Sequence, residues 1–470
     1  MRVVIVGAGI SGLALAYRLN EFLPSAQITI LEQQNRPGGT IWTEQRDGFQ
    51  VEIGPNGFLD NKPSTLALCR DLGLADRLVP AAEAAERNRY LFLDGRLRRL
   101  PNSIGSFLRS DLLSWRGKLS ILLERWRPRP SAASDESIDA FVRRRAGNEV
   151  AEVLADAMVT GIYAGDPTRL SVRAAFPRLV ALEEQYGSVL KGMSGAARER
   201  RAEAAARGER YRSAGRMWSF AEGLRLAIET LCERLPNKPL LGVAAQRLQR
   251  APAADGQGTV WTVIGEGQDR WLADAVVLTC PTPQQAAVLA DLDSELAHTL
   301  SAIPYCRIAV IALGYRHSDV PIALDGFGFI VPQRTRRDLL GVQWCSSIFP
   351  DRAPPGRVLL RGMCGGWNRP EVVDWDDTQL LRAVRADLHS AMGIAAEPVF
   401  HHIVRWDRAI PQYHLGHLDR VAWIEERAAR YPGLFLGGNA YHGVALNDCT
   451  EQAVILAERL RRYLTRFAAS

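Results

Sequence analysis

Residues 3–12 read Val3-Val4-Ile5-Val6-Gly7-Ala8-Gly9-Ile10-Ser11-Gly12, and this stretch decides the fold. Its four leading apolar residues predict a short buried β-strand. Glycines 7, 9 and 12 have the G-x-G-x-x-G spacing, and an apolar helix is expected over about 13–19. Residues 28–31 predict a second strand, which ends in Glu32, twenty residues past Gly12. Strand, glycine turn, helix, strand and acid is the order that a dinucleotide site needs. Gly7 permits the tight turn, Gly9 lets the backbone approach a pyrophosphate, and Gly12 lets helix and strand pack closely. The helix N-terminus that follows the turn faces the phosphates with its unpaired N–H groups. Glu32 is placed to accept from ribose hydroxyls. Three glycines alone are often only a loop; the flanking strands and the placed acid carry this reading.

Arg36-Pro37-Gly38-Gly39 follows the acid. An acid followed by R-x-G-G after the second strand resembles the signature of FAD enzymes related to glutathione reductase, which favours FAD over NAD. A plain Pro-Gly turn is the bland alternative. The chain of 470 residues is long enough for two or three domains. Hydrophobic content of 47% and charged content of 23% indicate a folded protein. No apolar run of about 18 residues occurs, so no membrane span is expected. The first strand runs directly into the glycine turn, without the pattern of a signal peptide, which suggests a cytoplasmic or cytosol-facing protein. Seven cysteines, at 69, 232, 280, 306, 345, 364 and 449, have no ligand spacing, so neither disulfides nor a metal is expected. His401-His402 would point opposite ways on a strand. The net charge of +6 favours anionic partners.

Residues 49–53 alternate as a strand and meet Gly54-Pro55-Asn56 after the carboxylate of Glu52. Residues 87–93 form a basic and aromatic strand entering the hairpin signal Asp94-Gly95. An arginine there either reaches a substrate carboxylate or is solvated. Residues 96–130 hold nine Lys/Arg against Asp111 and Glu124, while Leu108, Leu112, Trp115, Leu119, Leu122 and Trp126 recur at helical spacing. That helix suits either an interfacial membrane contact or a core with a solvated basic face. Pro128-Arg129-Pro130 would end it. Gly161 to Asp166 are expected between helices at 148–160 and 171–184, either close to something flat or as a helix cap. Residues 191–216, with eight Lys/Arg and three Glu, read as a solvated excursion. The basic run lacks a platform of aromatics, which argues against nucleic acid. Strands are expected near 239–249, 258–264 and 271–279, then a second sheet from 308–313, 326–331, 339–344 and 358–364. A last buried strand, 434–439, precedes a helix over 447–464, whose positive end would favour charge on a reduced flavin.

Nearly end to end, the chain resembles the protoporphyrinogen oxidases, FAD enzymes of the penultimate step of haem biosynthesis. The resemblance rests on Gly7 to Gly12, Glu32 to Gly39, Glu52-Ile53-Gly54-Pro55, Asn88-Arg89, Gly161 to Gly165 with Leu170-Ser171-Val172-Arg173, and Gly326-Phe327-Gly328. Its most specific parts are Ile410-Pro411-Gln412-Tyr413 with Gly416-His417, and Gly443 to Cys449. It implies an α/β fold (α+β overall): a Rossmann-like FAD domain with interrupted topology, a mixed-sheet substrate domain and a helical membrane-binding domain. The FAD domain would take 1–85, 216–300 and 411–470. A mainly helical membrane-binding and substrate-access domain would take 86–215, and the substrate sheet 301–410.

The same resemblance implies FAD contacts at Gly7, Gly9, Ile10, Ser11, Gly12, Glu32, Gln33, Arg36, Gly38, Gly39, Thr40, Gly54, Pro55, Asn56, Ala245, Trp406, Gly438, Val444, Ala445 and Leu446. It implies that Arg89 binds a substrate propionate, that Gly161 lies beside a pyrrole, and that Phe327, Ile330 and Met363 wall the macrocycle. Gln343 falls where relatives prefer an apolar residue, and Asn56 where some carry arginine. The implied activity is six-electron oxidation of protoporphyrinogen IX by FAD, with O2 as acceptor and hydrogen peroxide as product. The implied partners are the porphyrinogen, O2, the cytoplasmic face of a membrane and a downstream chelatase. Aromatisation supplies driving force, so the protein has to position more than to donate protons, which suits the lack of an obvious catalytic His, Cys or Asp.

Three rivals remain. A coproporphyrinogen III oxidase of the same family would line its cavity with more basic side chains for four propionates. An amine oxidase or carotenoid desaturase shares the FAD motifs but lacks the I-P-Q-Y and G-V-A-L-N-D-C segments. A non-catalytic porphyrin carrier would bind tetrapyrrole without bleaching a flavin.

Overall fold

The computed structural model describes residues 1–127, 135–206, 215–252, 259–336 and 338–467. The expectations placed on 128–130 and 207–214 lie outside the described residues. Strand Arg2–Val6 sits at the centre of a five-stranded sheet, between Gln27–Glu32 and Ala275–Leu278, with Leu240–Leu241 and Leu434–Leu436 at the edges. Its pairings are all parallel. Parallel sheets are covered on both faces, which is why these strands are near-continuous apolar runs. Helix Ile10–Phe22 and the last helix, Leu446–Phe467, cover one face through Leu13, Leu19, Leu460 and Leu464. Val288 and Leu289 of one helix and Leu296 and Leu300 of the next cover the other.

Three boundaries differ from expectation here, the strand near 239–249 being split into Leu240–Leu241 of this sheet and Arg247–Pro252 of another. The first helix begins at Ile10, inside the glycine motif, because the motif's last residues already form its first turn. The strand expected over 271–279 is two strands in two sheets. Arg270–Ala273 belongs to a three-stranded antiparallel sheet with Arg247–Pro252 and Thr259–Ile264, whereas Ala275–Leu278 joins the parallel sheet. Asp274 makes the switch: its N–H donates to Arg2 O, and its carboxylate accepts from the Arg2 N–H and guanidinium at 2.7 and 3.0 Å.

A seven-stranded sheet forms the second body, in the order Phe400–Pro411, Tyr305–Arg316, Arg357–Gly365, Leu339–Trp344, Gly328–Ile330, Tyr90–Leu93, Arg96–Arg99. Only Gly328–Ile330 with Tyr90–Leu93 pairs in parallel. The hairpin 90–99 therefore extends this sheet, although it belongs to the stretch expected to be mainly helical. Alternation sorts the strands into two faces. Ile311, Leu313, Trp344 and Leu360 pack under Leu380, Val384 and Leu388 of helix Asp377–Met392. Ile308, Val310, Arg361 and Met363 lie on the other face, where Arg361 reaches the end of strand Phe49–Glu52.

Helices fill most of 104–206. The single basic helix expected through Leu108 to Trp126 is instead helix Ile104–Arg109, helix Trp115–Leu122 and a 3-10 turn, Leu123–Trp126. Ser114 breaks the run because its hydroxyl caps the second helix at Gly117 N. Residues expected as a solvated excursion are helical over Val189–Ala206; Glu124 accepts from Val189 N and Leu190 N and anchors its start. Among the described residues, no helix is long and apolar enough to cross a membrane.

Candidate functional site

The glycine motif lies where the parallel strands end, at Val6, Glu32, Leu278 and Leu436. Open α/β sheets bind ligands at these carboxyl ends. Gly7 has φ +107° and donates to Leu31 O. A Cβ on Gly12 would lie 2.0 Å from Gly7 O, so helix and strand touch backbone to backbone. A Cβ on Gly9 would meet nothing within 4 Å. Gly9 is the helix N-cap, and no side chain caps the first turn at Ile10 and Ser11. Free N–H groups facing open space are what a phosphate requires.

The Arg36-Pro37-Gly38-Gly39 turn closes over this cradle. Gly38 N donates to Ala8 O at 2.8 Å, and Arg36 Nη1 donates to Gly39 O at 2.9 Å. Glu32 is buried, and its two oxygens accept from Ala8 N at 2.8 Å and Gln34 N at 2.9 Å. Each oxygen keeps a lone pair for a further donor. Val243 N donates to Glu32 O and sets the loop carrying Ala245 beside this carboxylate, while Gln33 is exposed. Gly438, with φ +114°, ends the neighbouring strand. Val444 and Ala445 lead into the last helix, which starts at Leu446, one residue earlier than expected.

Between the cradle and the second sheet runs the turn from Glu52 to Asn56. Trp406 Nε1 donates to Ile53 O at 2.8 Å, and Arg361 Nη1 donates to Glu52 O at 2.7 Å and Gly54 O at 2.8 Å. A Cβ on Gly54 would lie 1.8 Å from Thr40 O, so this turn rests on the end of the Gly38-Gly39 loop. Asn56 is buried, and its Nδ2 has no partner among the described residues. An orphaned buried donor beside an uncapped helix and two glycine turns fits a nucleotide cofactor with ring acceptors.

On the face that carries Arg361 lie most of the expected substrate residues. Met363 packs with Ile308, Val310 and Leu340, and Gln343 stands opposite both Gly328 and Arg361. A Cβ on Gly161 would lie 2.8 Å from Ile330 Cδ1. Gly161 was expected in a loop between helices. It lies in the last turn of helix Asp156–Tyr163, whose left-handed cap is Ala164 at φ +47°. Arg89 stands with its guanidinium 5.0 Å from the Phe327 ring centroid and has no ion-pair partner among the described residues. Burial lowers its pKa from the ordinary arginine value, against the pull of Glu86.

Spacing alone did not reveal the side chains that bind the two bodies together. Arg361, Arg352 and Glu52 meet only in three dimensions, and although Glu52 stood out before its Gly-Pro turn, no local signal marks the two arginines. Tyr413 and Gln412 entered only through the family resemblance. The Tyr413 hydroxyl donates to Asn439 O at 2.6 Å and accepts from Gly443 N at 2.8 Å, and Gln412 Nε2 donates to Tyr163 O at 2.9 Å. One short segment thus ties the loop before Val444 to the end of the Gly161 helix. Tyr413 also stacks on His417, at 4.0 Å between centroids.

Comparison with known proteins fits this arrangement. The model of the flavin containing amine oxidoreductase family matches residues 10–461, and the chain belongs to that family. It is an FAD-dependent oxidoreductase. It is 35% identical to a chloroplastic protoporphyrinogen oxidase of Nicotiana tabacum over 479 residues, covering 99% of this chain and 86% of the relative. It is 29% identical to a coproporphyrinogen III oxidase of Bacillus subtilis, covering 98% of both. A crystal structure from Exiguobacterium sp. 255-15, described provisionally as a protoporphyrinogen oxidase, superimposes with a TM-score of 0.83 at 28% identity, covering 98% of each chain.

Proposed function

We propose that the protein oxidises protoporphyrinogen IX to protoporphyrin IX with three molecules of O2, giving three of hydrogen peroxide. The observation that carries this reading is the sheet face of Ile308, Val310 and Met363, whose Arg361 and Trp406 hold the Glu52–Gly54 turn, together with Arg89, which stands over Phe327 without an ion-pair partner among the described residues. A flat, acidic, reduced tetrapyrrole matches an apolar wall with one cation at its edge. In this reading Gly7, Gly9, Ser11, Gly38, Gly39, Glu32 and Gly438 hold the nucleotide part of FAD, and Gly54, Pro55, Asn56, Trp406 and Val444 to Leu446 line its ring. FAD supplies hydride acceptance when bound. Arg89 holds a propionate, Phe327 backs that arginine, and Gly161 lies beside a pyrrole through its backbone. Anaerobic mixing of purified protein with protoporphyrinogen IX tests the reading. Bleaching of the flavin is expected, and an unbleached flavin sinks it.

Coproporphyrinogen III is the second reading, favoured by the Bacillus subtilis relative. On the face described above, Arg361, Arg96 and Arg98 are each engaged, with the Glu52–Gly54 turn, Asp111 and Asp94, and burial lowers the His402 pKa, which disfavours its charged form. That leaves Arg89 to meet carboxylates, which suits two propionates better than four. Comparing turnover of the two porphyrinogens by porphyrin fluorescence separates the readings.

A peripheral site on the cytoplasmic face of a membrane completes the proposal. Ile104, Trp115 and Trp126 are 81%, 72% and 64% exposed, and Leu119, Leu122 and Leu123 are exposed beside them. Lys118 Nζ and the Arg125 guanidinium lie 4.7 and 3.8 Å from the two tryptophan rings. Exposed tryptophans flanked by cations match a lipid interface. A poorly soluble product at that surface would pass to a chelatase. Flotation with anionic vesicles is expected for the wild type and not for Trp115→Glu/Trp126→Glu.

A further inference from the structure

The turn from Glu52 to Gly54 is held from behind by a charge cluster. Arg361 is buried, and one of its nitrogens, Nη1, engages two carbonyls of the turn while its Nε has no hydrogen-bond partner among the described residues. Arg352, also buried, lies 3.6 Å from the Glu52 carboxylate and donates to Ser219 and to the carbonyls of Phe220 and Ala221. Glu52 accepts from Leu224 N and Thr43 Oγ1, both at 2.9 Å. Burial pushes the Cys345 thiol up, so it stays neutral beside them. Two guanidiniums thus share one buried carboxylate, with the exposed Asp351 also acting on Arg352, and the buried part of the cluster is net positive whether or not Glu52 is ionised. Fixed charge in a dry site acts strongly on a neighbouring redox group.

We propose that Arg361 is a positioning residue that sets the electron affinity of the bound flavin: it fixes the turn and places an uncompensated positive charge behind it. The idea rests on the reading that Gly54, Pro55 and Asn56 line the flavin ring. Its consequence is that the electron-rich, anionic form of the ring is favoured before any substrate arrives. The two jobs of Arg361 separate by substitution. Arg361→Gln keeps a donor for the carbonyls and removes the charge, whereas Arg361→Lys keeps the charge.

Sulfite reports the effect without turnover, because its sulfur lone pair adds to oxidised flavin, bleaches it and leaves the ring negative. Each holoenzyme is titrated with sulfite, and its flavin midpoint potential is measured against a reference dye. R361Q is expected to weaken sulfite binding about tenfold or more and R361K by no more than about threefold, as a charge acting through a low-dielectric interior requires. The potential should fall in R361Q and hold in R361K. A flavin-loaded R361Q with unchanged sulfite affinity and potential overturns the proposal, as does an R361K as weak as R361Q. Should R361Q not fold, the wild type decides: sulfite must bleach its flavin, and failure to do so overturns the proposal. Wild-type protein that takes up no flavin at all would instead show that the reading of the turn was wrong.

Discussion

The glycine cradle is made of backbone, whereas the face of the seven-stranded sheet is made of side chains. Gly7, Gly9, Gly12, Gly38 and Gly39 work by what they lack, and they lie within one stretch of 33 residues. Arg361, Trp406, Met363 and Ile330 work by what they carry, and they reach the cradle across long sequence separations. A site built from local backbone tolerates almost no added atom. A site built from side chains is tuned by exchanging them.

The sharpest test of that contrast uses two glycines in one motif. Gly12→Val forces a Cβ to within 2.0 Å of Gly7 O. It should lower stability by about 3 kcal/mol or more, with or without flavin, through backbone overpacking. Gly9→Val meets open space. Its apo form should lose about 1 kcal/mol or less, the difference in N-cap preference, yet no flavin should co-purify. Thermal melts of both apo proteins beside flavin absorbance check this. Equal melting losses would break the distinction between a packing glycine and a ligand glycine.

The seam between the two bodies is the next place to press. His417 is fully buried under Tyr413, and His414 stands edge-on to Trp367. Burial, reinforced by nearby arginines, lowers both imidazoles from 6.5 to about 4. The folded protein keeps them neutral where the unfolded chain would protonate them. Between roughly pH 6.5 and pH 4 the unfolded state therefore binds more protons, and stability falls as the pH drops through that window. For His417 the loss should be on the order of 3 kcal/mol by pH 4. Denaturant melts at a series of pH values should show it, and His417→Phe should flatten that acid limb.

The same contrast explains what was legible in the sequence. The strand, glycine turn and Glu32 could be read because their chemistry repeats within forty residues. Residues 271–279 misled because both halves are apolar, and only the Arg2–Asp274 pairing sends them into different sheets. The run 104–126 misled because helical spacing persists through Ser114, whose capping role becomes visible only when its hydroxyl is seen on Gly117 N. Helix Val189–Ala206 was missed because its charge and glycine content outweigh a start anchored by Glu124, distant in sequence. Arg89 and Met363 entered through family resemblance, since a lone arginine or methionine has no period to announce it.

Arg89→Ala sharpens the side-chain half of the comparison. Removing one charge-assisted contact of about 1.5–3 kcal/mol should raise KM about 10- to 100-fold. The flavin spectrum should not change, because the Arg89 side chain touches Phe327 and none of the cradle. Steady-state kinetics with protoporphyrinogen IX and a flavin spectrum on the same sample read both. An unchanged KM would remove Arg89 from the site.

The smallest effect expected is also the most direct probe of how the two halves meet. Trp406→Phe keeps an aromatic ring against the turn but deletes the Nε1 donor to Ile53 O. One neutral hydrogen bond contributes about 1 kcal/mol. The loss should be felt locally, because Arg361 still holds Glu52 O and Gly54 O on either side. Flavin should therefore stay bound with a slightly faster release, and the apo melt should move little. If release accelerates no more than the melt predicts, Ile53 O is only a packing contact. If release accelerates while the apo melt stays put, the sheet's grip on that carbonyl is part of what retains the cofactor.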